Sequence, residues 1–267
     1  MQGILDPDNH EPFPTADILG VRVSALTEVD LHCIISGAID NDEKVLLPNV
    51  NAHALNLAFE NEWLRDFFNQ STAVFPDGSG ALFAGRLQGY PFRERVTYAD
   101  WLWQLAGFCA ANGYSLFLLG GRDSVAELAA KALAAKYPRL VVAGTRAGYF
   151  DKRPEGDENK AVIAEINGVS PDILIVGFGM PLQERWLMEN WDKLKVHVGL
   201  TGGAAFDYIS GRLRRPPRFL VDHGLEWLGR LIIEPGRLWR RYLIGIPVFV
   251  IRVTRQAIGR LPLRIRH

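Results

Sequence analysis

The segment 172–186 constrains the fold of this chain more than any other. It opens with four apolar residues in a row (Ile-Leu-Ile-Val), as in a strand that is covered on both faces. Gly177 and Gly179 then permit a sharp turn and the close approach of a ligand, and Pro181 suits the first turn of a helix. Ligands of open α/β sheets bind beside such strand ends, and Gln183 falls in the first helical turn here. A Gly-x-Gly pair alone is equally compatible with an ordinary strand–helix turn.

Apolar segments that alternate with helical patterns recur along the chain. Further strands are predicted at residues 18–23, 44–48, 72–75, 115–119, 140–144 and 196–200, with helices between them. Such alternation is typical of a parallel sheet with right-handed crossovers. We therefore expect an α/β fold with a Rossmann-like parallel sheet flanked by helices.

Composition divides the chain into three parts. Residues 1–16 are polar with three prolines and predict a flexible arm, and residues 17–210 contain no linker and predict one α/β domain. Residues 211–267 carry thirteen Arg, no Lys and three acidic residues, a net charge of +10 in a protein of zero net charge. We expect a small Arg-rich helical appendage, with helices at 219–233 and 237–243 and an apolar segment at 244–253 that contains Pro247. It suggests a phosphate, a nucleic acid or an anionic membrane surface as partner.

Cysteine content and the lack of a targeting segment indicate the compartment. Cys33 and Cys109 lie in apolar helical segments and are expected to be buried thiols, because two Cys give neither a disulfide framework nor a metal-binding spacing. Acidic residues interrupt the N-terminal segment, so no signal peptide is predicted. No run reaches the roughly 20 apolar residues needed to span a bilayer. The sequence thus predicts a cytoplasmic protein.

The residues that follow the predicted strands carry the candidate binding chemistry. Because parallel strands end at one edge of a sheet, these residues are expected to meet in one cleft. Backbone N–H groups of glycine loops in such a cleft are suited to bind a phosphate. The candidate binding residues are Asn49, Asn51, Gly120, Gly121, Gly177, Gly179, Gln183, Gly202 and Gly203.

Asp77 is the one carboxylate at these predicted strand ends, which makes it the candidate general base. The alternative is that Asp77-Gly78 is an ordinary turn, in which the carboxylate caps the next helix. The surrounding cleft of amides and glycines favours the base. His53 lies two residues past Asn51 and either orients a substrate or packs beside Asn51.

Neither a metal nor a redox cofactor is expected. A metal-dependent sugar-nucleotide transferase usually has an Asp-x-Asp triplet at the carboxyl end of a strand. Here Asp6-Pro7-Asp8 lies in the arm, and Asp40-Asn41-Asp42 precedes its strand. No Gly-x-Gly-x-x-Gly opens a helix with an acidic residue at the interval that NAD binding requires.

Several motifs, in order along the chain, resemble the WecG/TagA/CpsF family of glycosyltransferases. Gly177-x-Gly179-x-Pro181-x-Gln183-Glu184-x-Trp186 is similar to the central motif of that family. Asn49-Val50-Asn51 resembles its Thr-x-Asn segment, with Asn49 for Thr, and Phe75-Pro76-Asp77-Gly78 resembles its Ala-Asp-Gly segment, with Pro76 for a small residue. Further similar segments are 202–207, Gly211, 224–227, Arg230, 234–235, 237–238 and 240–242. The likeness spans about residues 18–253.

The resemblance implies an inverting, metal-independent transferase that is peripheral on the inner face of the cell membrane. It would move a hexose or N-acetylhexosamine (N-acetylmannosamine-like or glucose) from a UDP-sugar to a polyprenyl-diphosphate-linked sugar in cell-surface or exopolysaccharide synthesis. Asp77 is then the base, and Asn51 and Gln183 hold a donor or acceptor sugar. The residues implied to bind diphosphate are Arg230, Arg237 and Arg240. Nucleic acid is not expected as a partner, and a homo-oligomer is left open.

Two other interpretations of the residues are weighed against this one. An Arg-rich appendage is also typical of a non-catalytic module that binds a membrane or nucleic acid, but such a module has no need of Asp77 in a glycine-lined cleft. A nucleotide-sugar epimerase would share the α/β fold, but the sequence has no Tyr-x-x-x-Lys pair and no dinucleotide-binding motif.

Overall fold

The computed structural model describes residues 13–90, 92, 96–217, 219–220 and 223–260. Within these residues the strands are β1 (Thr15–Ile18), β2 (Val21–Ser24), β3 (Val45–Leu47), β4 (Asn49–Val50), β5 (Phe75–Pro76), β6 (Ser115–Gly120), β7 (Val141–Arg146), β8 (Ile173–Gly177) and β9 (Val198–Thr201). The helices are α1 (Glu28–Asp40), α2 (Ala52–Glu60), α3 (Glu62–Gln70), α4 (Ser79–Leu87), α5 (Tyr98–Asn112), α6 (Val125–Lys136), α7 (Asp157–Val169), α8 (Leu182–Asn190), α9 (Ala205–Ile209), α10 (Glu226–Ile233), α11 (Pro235–Trp239), a π-helical turn (Arg240–Ile244) and α12 (Gly245–Arg260).

The centre of the fold is a five-stranded parallel sheet in the order β3-β9-β8-β6-β7. Alternate residues of β6 face opposite sides of it. Leu116 and Leu118 pack in the core with α1, α5 and α6, whereas Phe117 and Leu119 pack in the core with α2, α7 and α8. Because both faces are covered, the central strands are continuous apolar runs. The predicted α/β fold, a parallel sheet flanked by helices, is confirmed.

The strand that begins at Val45 changes its partner at Pro48. β3 pairs with β9 in the main sheet, whereas β4 pairs in parallel with β5 in a separate two-stranded sheet. Proline has no N–H to donate, which suits the point where one ladder ends. The strand predicted at 72–75 is therefore wrong in extent and in place, since β5 contains only Phe75 and Pro76 and lies outside the main sheet. The change of partner brings the ends of β4 and β5 side by side.

The N-terminal strands form an antiparallel hairpin, β1-β2, which turns at Leu19-Gly20. The single strand predicted at 18–23 is wrong, because both of these residues have positive φ and reverse the chain. Thr15 and Ala16 belong to β1, so the predicted arm of residues 1–16 extends too far. Residues 1–12 of that arm lie outside the described residues.

The two cysteines differ in exposure. Cys109 is buried in α5, and burial raises the pKa of its thiol to about 12. Cys33 is exposed on α1, contrary to the prediction. The buried face of α1 is formed instead by Leu31, Ile34, Ile35 and Ala38.

The C-terminal helix is continuous from Pro235 to Gly259 and passes through the π-helical turn. That turn lies just before Pro247, where a widened turn lets a helix continue past a proline. Phe249 and Val253 are buried in the core beside α2 and α4. Gln256 Nε2 donates a hydrogen bond to the Asp17 carbonyl oxygen (3.1 Å). The end of the appendage is thereby anchored on the α/β domain.

The length of this helix bears on the expectation that no segment is long enough to span a membrane. By length and composition alone it is able to cross a bilayer, whereas the sequence interpretation found no such segment. Only 17% of the most apolar part of this helix is buried, and Phe249 on its inner side packs on the domain. The helix predicted at 237–243 therefore continues through Pro247 and the apolar segment after it.

Candidate active site

A cavity of 660 Å³ lies at the carboxyl ends of the strands. Strand-end residues line one side, and arginines of the C-terminal helices line the other. Nine of the predicted site residues meet here, namely Asn49, Asn51, Asp77, Gly179, Gly202, Gly203, Arg230, Arg237 and Arg240. The fold thus joins the predicted base to cations that are distant in sequence.

Asp77 follows β5 and is fixed by the neighbouring strand. Its backbone N–H donates to the Val50 carbonyl oxygen (2.8 Å), and its Oδ2 accepts from Asn49 Nδ2 (3.1 Å). Oδ1 faces the backbone N–H of Tyr98 at 3.5 Å. The carboxylate is held by neutral donors, with room left for a substrate hydroxyl in the cavity.

The surroundings of Asp77 raise its pKa to about 6. Burial is the main cause, and repulsion from the Glu226 carboxylate adds to it. The Tyr98 N–H and the cations Arg230 and Arg241 act in the opposite direction. A carboxylate with this pKa is ionised at neutral pH and is still basic enough to accept a proton, as a general base must be.

Asn49 holds Asp77 in place, and both polar groups of its side chain are hydrogen-bonded within the protein. Its backbone N–H donates to Thr201 Oγ1 (3.0 Å), and Thr201 Oγ1 donates back to Asn49 Oδ1 (2.8 Å). Asn49 and Thr201 are both buried. The side-chain carbonyl of Asn49 is therefore bonded to Thr201 and its amide to Asp77, so this side chain fixes the orientation of Asp77.

Asn51 and His53 lie beside the base at the start of α2. Asn51 Oδ1 accepts from the backbone N–H groups of His53 (3.0 Å) and Ala54 (3.1 Å), which caps the helix. His53 also lines the cavity, and burial together with the Arg241 charge lowers the pKa of its imidazole to about 4. His53 therefore presents a neutral ring to the cavity.

Arg230 and Arg241 reach the cavity from α10 and from the π-helical turn. The Nε atom of each is buried without a hydrogen-bond partner among the described residues. The Arg230 guanidinium lies 5.6 Å from the centre of the Tyr208 ring, and the Tyr208 hydroxyl is likewise buried and unpartnered. Buried polar groups are nearly always paired, so orphaned donors on two cations indicate a site for an anion.

A second cavity, of 770 Å³, marks the crevice between β6 and β8. The chain leaves β6 toward β7 and leaves β8 toward β9 in the opposite direction, and α6 and α8 pack on opposite faces of the sheet. Ligands of open α/β sheets bind at such a point. The lining includes Gly121, Arg122, Tyr149, Lys152, Gly177, Gly179, Gly203 and Arg237. Gly179, Gly203 and Arg237 line both cavities, which are therefore contiguous.

Two predicted binding residues lie outside both linings. Gln183 is fully buried, and its Oε1 accepts from the backbone N–H groups of Gly179 (3.1 Å) and Gly203 (3.1 Å). It ties the loops after β8 and β9 together and lines neither cavity, whereas the resemblance implied that it holds a sugar. At Gly120 a Cβ would collide with the Gly177 carbonyl oxygen, so this glycine permits close packing of two strands.

The described residues contain no group of three or more His, Cys, Asp or Glu side chains placed to hold a metal ion. Asp40-Asn41-Asp42 lies at the end of α1, before β3 and at the edge opposite the cavities, as predicted. Asp42 Oδ1 lies 3.1 Å from His197 Nε2 there. Asp6-Pro7-Asp8 lies outside the described residues.

Comparison with known sequences decides the family. Residues 16–262 match the sequence model of the glycosyl transferase WecG/TagA/CpsF family. The chain belongs to this family. The resemblance drawn from the motifs is confirmed, and the protein is a glycosyltransferase.

Relatives within the WecG/TagA/CpsF family carry a specific name. An N-acetylglucosaminyldiphosphoundecaprenol N-acetyl-beta-D-mannosaminyltransferase from Bacillus subtilis (strain 168) is 28% identical over 221 residues, 82% of each chain. A protein of the same name from Staphylococcus aureus (strain MRSA252) is 26% identical over 241 residues, 90% of this chain and 92% of its own.

Some residues at the site of this WecG/TagA/CpsF-family protein were absent from the predicted set. The 660 Å³ cavity is also lined by Arg241, Tyr208 and Glu226. Arg241 and Glu226 belong to segments that resemble the family, 240–242 and 224–227, so the motifs carried a signal for them. Tyr208 follows the similar segment 202–207 by one residue and had no signal of its own.

Proposed function

We propose that this glycosyltransferase moves an N-acetylhexosamine or hexose from a UDP-sugar to a sugar linked to a polyprenyl diphosphate, with inversion and without a metal. The observation that carries the proposal is Asp77, a carboxylate of raised pKa beside Arg230 and Arg241. The names of the relatives support a polyprenyl-linked acceptor and favour N-acetylmannosamine as the transferred sugar.

Asp77 acts as the general base in a direct displacement. It takes the proton from the acceptor hydroxyl, whose oxygen attacks the anomeric carbon of the donor sugar from the face opposite the diphosphate. The bond from that carbon to the phosphate oxygen breaks, and UDP leaves with the bonding electron pair. One carboxylate suffices, because inversion in a single step needs no nucleophile from the protein.

The leaving diphosphate is stabilised by backbone amides and arginine. Gly179, Gly203 and Arg237 border both cavities, so a diphosphate beside them connects a nucleotide at the β6–β8 crevice to a sugar near Asp77. β6 is three strands away from β3, about 14 Å at the usual strand spacing, which suits an extended sugar nucleotide. Fixed N–H groups and guanidinium cations there supply the charge stabilisation that a metal supplies in other transferases.

The protein works at the inner face of the cell membrane as a peripheral protein. Ile232, Trp239 and Leu243 are exposed on the C-terminal helices, among exposed arginines that include Arg240. Mixed apolar and basic side chains on the outer side of a helix favour binding in the headgroup region of an anionic leaflet. The inner side of the same segment packs on the domain through Phe249 and Val253.

The test incubates the protein with a panel of UDP-sugars and a lipid-diphosphate-linked sugar, with and without excess EDTA, and weighs the products. We expect one added sugar of β configuration from an α-linked donor, in equal yield with EDTA. A requirement for Mn²⁺ or Mg²⁺ would contradict the metal-free mechanism. Absence of any product, with binding to anionic vesicles retained, would favour the non-catalytic module.

A further inference from the structure

An apolar cavity of 340 Å³ lies on the far side of Asp77, between α4 and α12. Its walls are large apolar side chains from α4, α10 and α12, namely Phe83, Trp227, Ile246, Phe249 and Val250. Phe83 and Val250 are 46% and 38% exposed, so they stand at the mouth. Phe83 also lines a neighbouring surface pocket, together with Leu82, Leu87 and the polar residues Ser79 and Arg86.

The other end of the apolar cavity is charged. Asp77, Glu226, Arg230 and Arg241 line it as well as the 660 Å³ cavity, so the two cavities meet at the base. Arg237 and Arg240 line only the 660 Å³ cavity of these two. A ligand that fills the apolar cavity therefore has cations at one end and an apolar path to the surface at the other.

We infer that the apolar cavity binds the first isoprenoid units of the lipid acceptor, with the acceptor diphosphate at Arg230 and Arg241 and its sugar hydroxyl at Asp77. The inference rests on the proposed function and adds the place of the lipid chain. Arg237, at the border with the β6–β8 crevice, then serves the donor diphosphate, so the two diphosphates have separate cations.

The position of the mouth supports a lipid chain as occupant. Val250 lies on the helix whose outer side carries exposed apolar residues such as Leu243 and Ile244. A chain that leaves a bilayer beside this helix enters the cavity without passing through water. Each methylene that it buries contributes roughly a fourfold gain in binding.

Binding is tested without catalysis by calorimetric titration of farnesyl diphosphate and of inorganic diphosphate. Both offer the same anion, and only farnesyl diphosphate offers an isoprenoid chain. We expect farnesyl diphosphate to bind at least roughly 100-fold more tightly. Val250→Asp, which puts a charge at the mouth, should remove at least tenfold of that preference.

Ile251→Asp is the matched control. Ile251 is the next residue on the same helix, is 51% exposed and does not line the cavity, so its substitution should keep the farnesyl preference. Val250→Trp fills the mouth without a charge and serves if the Asp variant fails to fold. Equal binding of the two ligands by the unmodified protein, or an equal loss in the Val250 and Ile251 variants, would overturn the inference.

Turnover separates this inference from the proposed function. Two soluble acceptors with one sugar-diphosphate head and either a farnesyl or a methyl tail are compared by kcat/KM. We expect a higher kcat/KM for the farnesyl acceptor than for the methyl acceptor. Val250→Asp should reduce this preference about tenfold, and Ile251→Asp should leave it unchanged. Transfer to both acceptors at equal rates would sink the lipid site and leave the proposed function standing. Tight binding of farnesyl diphosphate with no sugar transfer to either acceptor would support the lipid site and contradict the proposed function.

Discussion

The side-chain amide of Asn49 donates a hydrogen bond of 3.1 Å to Asp77 Oδ2, across the junction of β4 and β5. Because the Asn49 carbonyl is bonded to Thr201 in turn, the base is tied to the end of β9 as well. The orientation of the Asp77 carboxylate, the proposed base, thus depends on strands from two different sheets.

Asp77→Asn should remove the proton-accepting carboxylate and leave a side chain of nearly the same shape. We expect turnover to fall on the order of 100-fold or more, because proton transfer by a positioned side chain contributes about that much. Asp66→Asn, at an exposed position on α3, is the control and should keep full activity. Near-normal turnover by the Asp77 variant would remove Asp77 from the mechanism.

The pH profile should carry the signature of Asp77. Its pKa is about 6, so kcat/KM should fall as the pH drops through that value and the carboxylate becomes protonated. Glu226 raises this pKa by repulsion, so Glu226→Gln should move the fall to lower pH. Glu62→Gln, exposed on α3, should leave the midpoint in place. An unchanged midpoint in the Glu226 variant would mean that another group controls the acid limb.

Gln183→Ala should destabilise the protein as well as slow it. The substitution leaves the N–H groups of Gly179 and Gly203 without their acceptor, at a cost of about 1–3 kcal/mol for each that stays buried. Thermal unfolding should therefore occur at lower temperature, whereas Gln70→Ala at the exposed end of α3 should unfold like the parent. A large loss of activity with unchanged stability would point to direct sugar contact.

Arg237→Ala should separate catalysis from membrane binding. Removing one exposed charge should weaken binding to anionic vesicles roughly fivefold. Loss of a cation at the leaving group should lower turnover on the order of 100-fold. Arg255→Ala removes the same charge from an exposed position on α12, outside the cavities, and should weaken vesicle binding alone. Equal turnover in the two variants would contradict the role of Arg237.

The appendage should contribute to the stability of the whole protein. Phe249 is buried against the domain, so Phe249→Ala should cost about 3–5 kcal/mol in urea unfolding. Ile258→Ala, 62% exposed on the same helix, should cost little. A small effect of Phe249→Ala would instead mean that the domain predicted at residues 17–210 is stable without the appendage.

Local patterns predicted the parts of the site that depend on local structure. Glycine after an apolar strand predicted Gly121, Gly177 and Gly203 at the edge of the sheet, because the strand end and the turn are adjacent in sequence. Asp77 was found by the same argument, although its strand proved to lie in another sheet.

The sequence did not predict the roles of residues that depend on contacts with distant parts of the chain. The change of partner at Pro48 follows from long-range ladders with β9 and β5. Gln183 acts on Gly203 as well as on its own loop, and a local motif does not reveal the second contact. The inward path of Arg241 depends on the π-helical turn, which no periodicity at 3.6 residues predicts.

The order of the catalytic groups along the chain has a consequence for synthesis. Asp77 and the glycine loops precede residue 211, whereas Arg230 and Arg241 follow it on the helices that close the cavity. A nascent chain that has left the ribosome only as far as Gly211 therefore carries the base but neither of these cations. In the proposed mechanism, sugar transfer becomes feasible only when translation has passed the segment that is also proposed to meet the membrane.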